Sequence, residues 1–483
     1  MRVIHAAPVA IEDLSIRYPN GTQVISGLNI RIEPGSYTLI AGPTGCGKST
    51  LGLCLAGILG FGIPARISGT VSINGRRLDQ MERADISRYV ATVWQSPEAQ
   101  MCARTVLDEV RLGLDYRQVP VAQADRRALD ALEAVGLAHI DPSRDPLTLS
   151  GGEQQRLALA AALVLDAPVL IMDEATSQLD DSAAQQFRHA LIDARKRRNL
   201  TIIAIDHRPA LHLPMADRLM VLDHDGTVAL DGPPEQIYTR HAATCRHLGI
   251  RVPGTGERYQ EYPRYAIASS DDHALATHEL GVRVGRARLL TDITWALPPG
   301  AIAIVRGPNG AGKSTLLRCL ATELKPSTGS ITPGPRSRVR AGIGYAPQQG
   351  ADLFLNATVG AELTAALRRS IRQREVDEDA IGPLLHRAHL DGLAHHHPLR
   401  LSGGQRQRLN VASALATSPK ILIADEPTSA QDVNGSRAIF DLLTYGASQR
   451  VTLLATHDSD VTGTIATHIL DIREGQLTGV EEL

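Results

Sequence analysis

The sequence predicts an α/β fold in two copies, each built on a mostly parallel sheet, and three observations carry the prediction. Twice an apolar, β-prone run leads into a glycine-rich loop that opens a helix, at GPTGCGKST (Gly42 to Thr50) and GPNGAGKST (Gly307 to Thr315). Twice a nearly continuous apolar stretch ends in Asp-Glu, in PVLIMDEATSQLD (Pro168 to Asp180) and PKILIADEPTSAQD (Pro419 to Asp432). Such unbroken strands suit the centre of a parallel sheet covered on both faces. The third observation is spacing: Lys48 and Lys313 lie 265 residues apart, Ser150 and Ser402 252, and Glu174 and Glu426 again 252. The whole chain is therefore a duplication, with a net deletion in the second copy between its glycine loop and its LSGG.

Length and composition bound what the two copies can be. The 483 residues suffice for two or three sizeable cores, and the repeat selects two. The domains are expected at 1–250 and 273–483. They are joined by 251–272, where proline, glycine and charge interrupt any sustained period. A balance of 50 basic against 52 acidic residues leaves a net charge of −2, so no overall cationic field argues for nucleic acid. The five cysteines include no C-x-x-C pair and cannot all pair within one chain, which fits a reducing, cytoplasmic setting. MRVIHAAPVAIEDL has no apolar stretch of signal-peptide length. The longest apolar stretch, Leu157 to Met172, is broken by Asp166 and Pro168 and falls short of the roughly 20 residues of a bilayer helix. If this chain works at a membrane, another chain must bring it there.

In order along the chain, residues 10 to 40 read as short strands with turns at Pro19-Asn20-Gly21 and Pro34-Gly35. Leu51 to Leu59 fits a helix packed on a sheet, and 67 to 78 a hairpin turning at Asn74-Gly75. Ala122 to Leu137 has helical periodicity ending near Gly136. TIIAID (Thr201 to Asp206) and RLMVLD (Arg218 to Asp223) read as strands, with a turn at HDGT. The second copy repeats this order in fewer residues, and prolines in SITPGPRSRVR (Ser330 to Arg340) should cut its hairpin short.

The chemistry begins in the glycine loops. Gly42, Pro43, Thr44, Gly45, Cys46, Gly47, Lys48, Ser49 and Thr50 match the phosphate-binding pattern G-x-x-x-x-G-K-[ST]. Gly307, Pro308, Asn309, Gly310, Ala311, Gly312, Lys313, Ser314 and Thr315 match it again. The glycines leave backbone N–H groups free to surround phosphate oxygens at a helix N-terminus whose dipole favours an anion. Lys48 and Lys313 would reach the β- and γ-phosphates of ATP, and Ser49 and Ser314 would offer hydroxyls to Mg²⁺. A single such loop can be a mere glycine turn, and recurrence within a duplicated chain argues against that. Cys46 sits near a helix N-terminus, where thiols become more acidic, and is expected to react with thiol reagents.

Acids at the C-terminal end of a central parallel strand lie where such sheets bind ligands. Asp173 and Asp425 are expected to hold Mg²⁺, directly or through water, and Glu174 and Glu426 to orient and deprotonate the attacking water. LSGGEQQR and LSGGQRQR place Ser150 and Ser402 three residues before Glu153 and Gln405, which reads as a capping box in both copies. Capping alone explains neither the glycine pairs Gly151-Gly152 and Gly403-Gly404, which allow close backbone approach, nor why each serine lies 24 residues before its glutamate.

These motifs resemble the ATP-binding-cassette (ABC) family, nearly along the whole chain and in duplicate. Each half holds a glycine loop, a glutamine after a β-prone run, LSGG, a strand ending in Asp-Glu and a histidine after another apolar strand. The resemblance implies two P-loop NTPase domains, each a mostly parallel sheet core with an antiparallel β part and a helical subdomain. It implies that Gln95 (VWQSPEAQ) and Gln348 (YAPQQG) help hold Mg²⁺ and water while linking the site to a transport partner. His207 and His457 would contact the γ-phosphate, and the serine-capped signature helices would face the γ-phosphate held by the opposite domain. Tyr18 stands where the family often stacks an aromatic ring on adenine; its equivalent is Arg283, so the sites are expected to differ in affinity. Glu153 replaces a glutamine common in relatives and should turn to its own helix. His395-His396-His397 has no metal-ligand spacing and reads as an exposed loop.

Within the family the resemblance is strongest to the ATPases of energy-coupling-factor transporters, which take up vitamins and transition-metal ions. QSPEAQMCARTVLDEV (Gln95 to Val110) has their Q-x-P, second Gln and T-V, and VALDGPPEQIY (Val228 to Tyr238) their tail; APQQGADLFLNATVGAEL keeps only the T-V. This implies integral membrane transport subunits as partners, with room for a separate substrate-binding membrane protein, and a peripheral place on the inner face of the cell membrane. Two rivals are a tandem ATPase of a sugar or peptide importer and a soluble ribosome-associated ATPase. The first often has an eroded second site, whereas Lys313, Ser402, Glu426 and His457 are all present. The second typically has a long charged helical linker and a basic character, and 251–272 is short and proline-containing.

Overall fold

The computed structural model describes residues 7–176, 179, 181–206, 211–253, 274–285, 287–334, 342–348, 350, 354–371, 381–429, 431–456 and 464–483. The chain divides into two compact units, Met1–Thr255 and Gly256–Leu483. Most of 251–272 lies outside the described residues.

The strands of the first unit are β1 (Val9–Arg17), β2 (Gln23–Ile32), β3 (Tyr37–Ala41), β4 (Arg66–Ile73), β5 (Arg76–Arg77), β6 (Val90–Val93), β7 (Val169–Asp173), β8 (Thr201–Ile205), β9 (Arg218–Leu222) and β10 (Val228–Gly232). An antiparallel sheet runs β2-β1-β4-β5, and a second sheet runs β10-β9-β3-β8-β7-β6, parallel except for β10. The hairpin at Asn74-Gly75 has left-handed φ at both residues, +52° and +75°, the turn whose twist matches its strands. In β1 the buried residues Val9, Ile11, Leu14 and Ile16 turn one face to the core. Every residue of β3, β7 and β8 is buried, because cores lie on both sides of the sheet. Ile40, Ile171 and Ile203 pack with Leu51 and Leu55 beneath the antiparallel sheet, while Leu39, Leu170 and Ile202 pack with Leu157 and Phe187 on the helical side. Burying each such side chain contributes roughly 1.5–3 kcal/mol.

The helix after the first glycine loop is Lys48–Leu55, and the expected helix of residues 122 to 137 is Val121–Ala134, closed by Gly136 at φ +75°. It packs with Val106–Tyr116 and Gly151–Leu163 as the helical part of the unit.

The second unit has β11 (Leu275–Val284), β12 (Ala287–Leu297), β13 (Ile302–Arg306), β14 (Thr328–Thr332), β15 (Ile343–Ala346), β16 (Ile421–Asp425), β17 (Val451–Ala455), β18 (His468–Arg473) and β19 (Gln476–Glu482). Its main sheet, β15-β16-β17-β13-β18-β19, repeats the first unit's order, again with only the last strand antiparallel. Its antiparallel sheet is β12-β11-β14, and β14 ends at Thr332, directly before Pro333. Among the described residues no helix is long and apolar enough to cross a membrane.

Candidate functional site

Both glycine loops run from the end of a central strand, β3 or β13, into a helix that begins at the lysine, Lys48–Leu55 or Lys313–Leu320. The residues before the lysines, Gly47 and Gly312, have φ of +95° and +102°, which L side chains rarely adopt. Space is closed there as well: a Cβ on Gly47 would lie 2.5 Å from the Val24 carbonyl oxygen, and one on Gly312 2.6 Å from Leu290. Lys48 Nζ donates to the carbonyls of Gly42 and Pro43, both at 2.8 Å, and Lys313 Nζ to those of Gly307 and Pro308 at 2.8 and 3.1 Å. Each lysine thus arches over its own loop, where a phosphate would be cradled. Ser49 and Ser314 are exposed at the two helix N-termini.

Asp173 and Asp425 end β7 and β16 and are buried. Burial first, and then the charge of Glu174, push the Asp173 carboxyl up to about 7, against a hydrogen bond from Ser49 and the charge of Lys48. Its Oδ1 is buried without a hydrogen-bond partner. A buried, unpartnered carboxylate oxygen beside a serine hydroxyl and a phosphate loop fits a hard divalent cation such as Mg²⁺. Burial likewise raises Asp425, against Ser314 and Lys313.

Glu174 and Glu426 follow at φ of +49° and +47°, a conformation that costs of the order of 1–3 kcal/mol for a side chain without a local reason for it. Each is held by its backbone N–H, to the carbonyl of Ile205 or Ala455 at 2.8 Å. The strain turns the side chain away from the strand direction. Gln95 Nε2 donates to Glu174 Oε2 at 2.7 Å, bringing together two residues 79 apart. Gln348 follows β15 and is exposed. His207 and His457 lie outside the described residues.

The signature helices are Gly151–Leu163 and Gly403–Ala416, and both capping boxes are formed. Glu153 Oε2 accepts from the Ser150 N–H and hydroxyl, each at 2.8 Å, so the glutamate does turn back on its own helix. Burial opposes its charge, but these bonds hold it below the usual carboxylate range. Tyr18 follows β1, half-buried, with its hydroxyl 3.0 Å from Thr50 Oγ1, whereas Arg283 lies exposed within β11. His395, His396 and His397 are exposed.

One expectation fails. Cys46 is buried, and burial outweighs Lys48 and the backbone, so its thiol is raised rather than acidified. Other residues carry roles the motifs did not announce. Buried Glu109 takes the Cys102 and Ala103 N–H groups at 2.8 and 2.7 Å, fixing the stretch after Gln95, and Glu362 does the same for Leu355 and Asn356, both at 3.0 Å. Gln155 donates to the Trp94 carbonyl and Asn410 to that of Pro347, so each signature helix grips the residue before the loop glutamine. The signal was present as a glutamate four residues after each T-V threonine.

Two phosphate loops on repeated sheets, in units that each also carry a strand-end acid pair and a serine-capped helix, define a tandem P-loop ATPase. The family description "ABC transporter" matches residues 25–177 and 290–429, and the chain belongs to that family. It is an ATP-binding protein whose hydrolysis of ATP is coupled to transport. Among similar proteins is "Putative HMP/thiamine import ATP-binding protein YkoD" of Bacillus subtilis (strain 168), 29% identical, with 96% of this chain and 90% of that protein aligned. A "Putative ABC transporter ATP-binding protein" of Methanosarcina mazei is 30% identical over 97% of this chain and 88% of its own. The archaeal ribosome recycling factor aABCE1, solved in complex with a ribosomal stalk protein, shares the fold, with TM-score 0.64 at 22% identity over 98% of this chain and 90% of its own.

Proposed function

We propose that this chain is the ATP-hydrolysing subunit of an energy-coupling-factor type uptake transporter, driving integral membrane partners from the cytoplasmic face, with a vitamin or metal ion as cargo. The observation that carries the reading is the Gln95 to Glu174 hydrogen bond at the head of a loop that buried Glu109 fixes in place. It ties the water-orienting acid to the loop whose Q-x-P, Gln and T-V resemble that transporter group. The import role in the name of the Bacillus relative points the same way.

In this reading Glu174 and Glu426 orient the attacking water, and Lys48 and Lys313 bind β- and γ-phosphate oxygens. His207 and His457 contact the γ-phosphate. Ser49, Gln95 and Asp173, and in the second cassette Ser314, Gln348 and Asp425, would hold Mg²⁺, which supplies positive charge to the phosphate oxygens. Each signature serine closes on a nucleotide held by another cassette. Tyr18 in one site against Arg283 in the other gives unequal affinities, with tighter binding where Tyr18 stands. Nucleotide titrations of Lys48→Ala and Lys313→Ala chains would return equal affinities if this last point were wrong.

Co-purification tests the function. Detergent-solubilised membranes holding the tagged chain should yield an integral membrane partner and, with it, uptake of a vitamin or metal ion. A partner complex specific for sugar or peptide would replace the cargo assignment, and sedimentation with ribosomes would replace the transport reading altogether.

A further inference from the structure

Four buried side chains form a continuous string inside the first cassette. Tyr37 opens β3, and its hydroxyl lies 2.6 Å from His212 Nδ1. His212 Nε2 lies 2.9 Å from Asp206 Oδ2, and Thr176 Oγ1 donates to that same oxygen at 2.8 Å. Tyr37 and Asp206 are fully buried, His212 and Thr176 nearly so. In this arrangement the Asp206 carboxylate accepts from His212 Nε2–H and from the Thr176 hydroxyl, and the Tyr37 hydroxyl is hydrogen-bonded to Nδ1. Burial, and next the Asp206 charge, keep the Tyr37 hydroxyl protonated, as that arrangement requires.

A buried carboxylate is costly to keep, so its place in the chain matters. Thr176 stands two residues after Glu174, and Asp206 directly before His207. The string therefore ties together the segments that leave β7 and β8, the two that carry the first site's acid and histidine. The second cassette is built differently at the same places. Pairing β13 with β17 sets Ile302 opposite Thr452, as β3 with β8 sets Tyr37 opposite Ile202, so Ile302 stands for Tyr37. Thr456 stands for Asp206 and Thr428 for Thr176, and these two hydroxyls lie 3.4 Å apart.

We propose that His212 and Tyr37 are positioning residues for hydrolysis in the first cassette, holding Asp206 and Thr176 so that Glu174, two residues before Thr176, keeps a fixed place relative to the end of β8. The cassettes then turn over ATP unequally, with the first dependent on the string and the second not. This rests on the reading of Glu174 as the water-orienting acid.

The test uses the full chain, hydrolysing 8-azido-ATP with vanadate so that 8-azido-ADP is trapped, then photolabelled and assigned by peptide to the unit of the first loop (42–50) or of the second (307–315), together with kcat and KM for ATP. Tyr37→Phe removes one hydroxyl and should lower trapping on the first loop about tenfold, the worth of one hydrogen bond near 1.4 kcal/mol. Second-loop trapping and KM should stay within twofold. His212→Leu should lower first-loop trapping further, and His212→Gln, which keeps a donor for Asp206, should recover part of it. Equal loss on both loops, or no loss in Tyr37→Phe, would overturn the proposal. Glu174→Gln separates the two layers: if it leaves first-loop trapping intact, the reading of the acid has failed and the positioning role falls with it.

Discussion

Gln95 and Glu174 meet across neighbouring strands: Nε2 of the glutamine, just past β6, donates at 2.7 Å to Oε2 of the glutamate just past β7. The glutamine thereby fixes one carboxylate oxygen of the acid read as orienting the attacking water. A general base of this kind contributes roughly 10²- to 10⁴-fold to rate. A chain with Glu174→Gln and Glu426→Gln should bind ATP as before and release phosphate slower by that factor. Filter binding of labelled ATP beside phosphate release checks both halves of the statement, and near-normal turnover would remove the assignment.

The Asp173 carboxyl gives a pH dependence of definite sign. Its folded value of about 7 lies above the unfolded 3.8, so the native state binds the extra proton between those limits. Stability of the first unit without nucleotide therefore falls as pH rises from about 4 to about 7 and is flat above. Asp173→Asn removes the buried charge and should raise the unfolding free energy at pH 8 by an amount of the order of 1–4 kcal/mol, and the melting temperature with it, while leaving both little changed at pH 4. Melting curves at the two pH values decide it, and a stabilisation equal at both would mean that the charge is not the cause.

Cysteine reactivity should follow burial rather than the helix N-terminus. Cys46 is 2% exposed with a raised thiol, whereas Cys102 is exposed. Brief alkylation of the nucleotide-free native chain should label Cys102 and spare Cys46, as peptide mass spectrometry would show. Preferential labelling of Cys46 would restore the acidified thiol.

Much of this was legible in the residues. The unbroken apolar runs around Leu39, Ile171 and Ile203 announced strands covered on both faces, and Ser150 with Glu153 announced its capping box. What escaped reading depends on contacts distant in sequence. Nothing local to Cys46 shows that its thiol will lie in the core it shares with Ile171, Ile205 and Leu222, and a dipole argument taken alone gives the wrong sign. Tyr37 and His212 lie 175 residues apart and match no motif; only the fold brings them to the same carboxylate. The positive φ of Glu174 is equally invisible, since no glycine marks the turn.

Glu109 offers a way to separate hydrolysis from partner binding. Its carboxylate is buried and accepts two backbone N–H groups from Cys102 and Ala103, in the stretch that runs from Gln95 toward the helix Val106–Tyr116. Glu109→Ala would leave both donors unmatched, at a cost of roughly 1–3 kcal/mol each if the loop stayed in place. The loop instead relaxes, because it is short and one side faces outward, and part of that cost is recovered as disorder. The phosphate loop at 42–50 and Asp173 are held by other contacts and keep their geometry. ATP turnover by the isolated chain should then stay within about threefold, while recovery of the integral membrane partner from solubilised membranes drops at least tenfold. Glu109→Gln, which keeps a carbonyl oxygen for the two donors, should retain most of the partner. Loss of turnover together with the partner would instead place Glu109 in the scaffold of the nucleotide site.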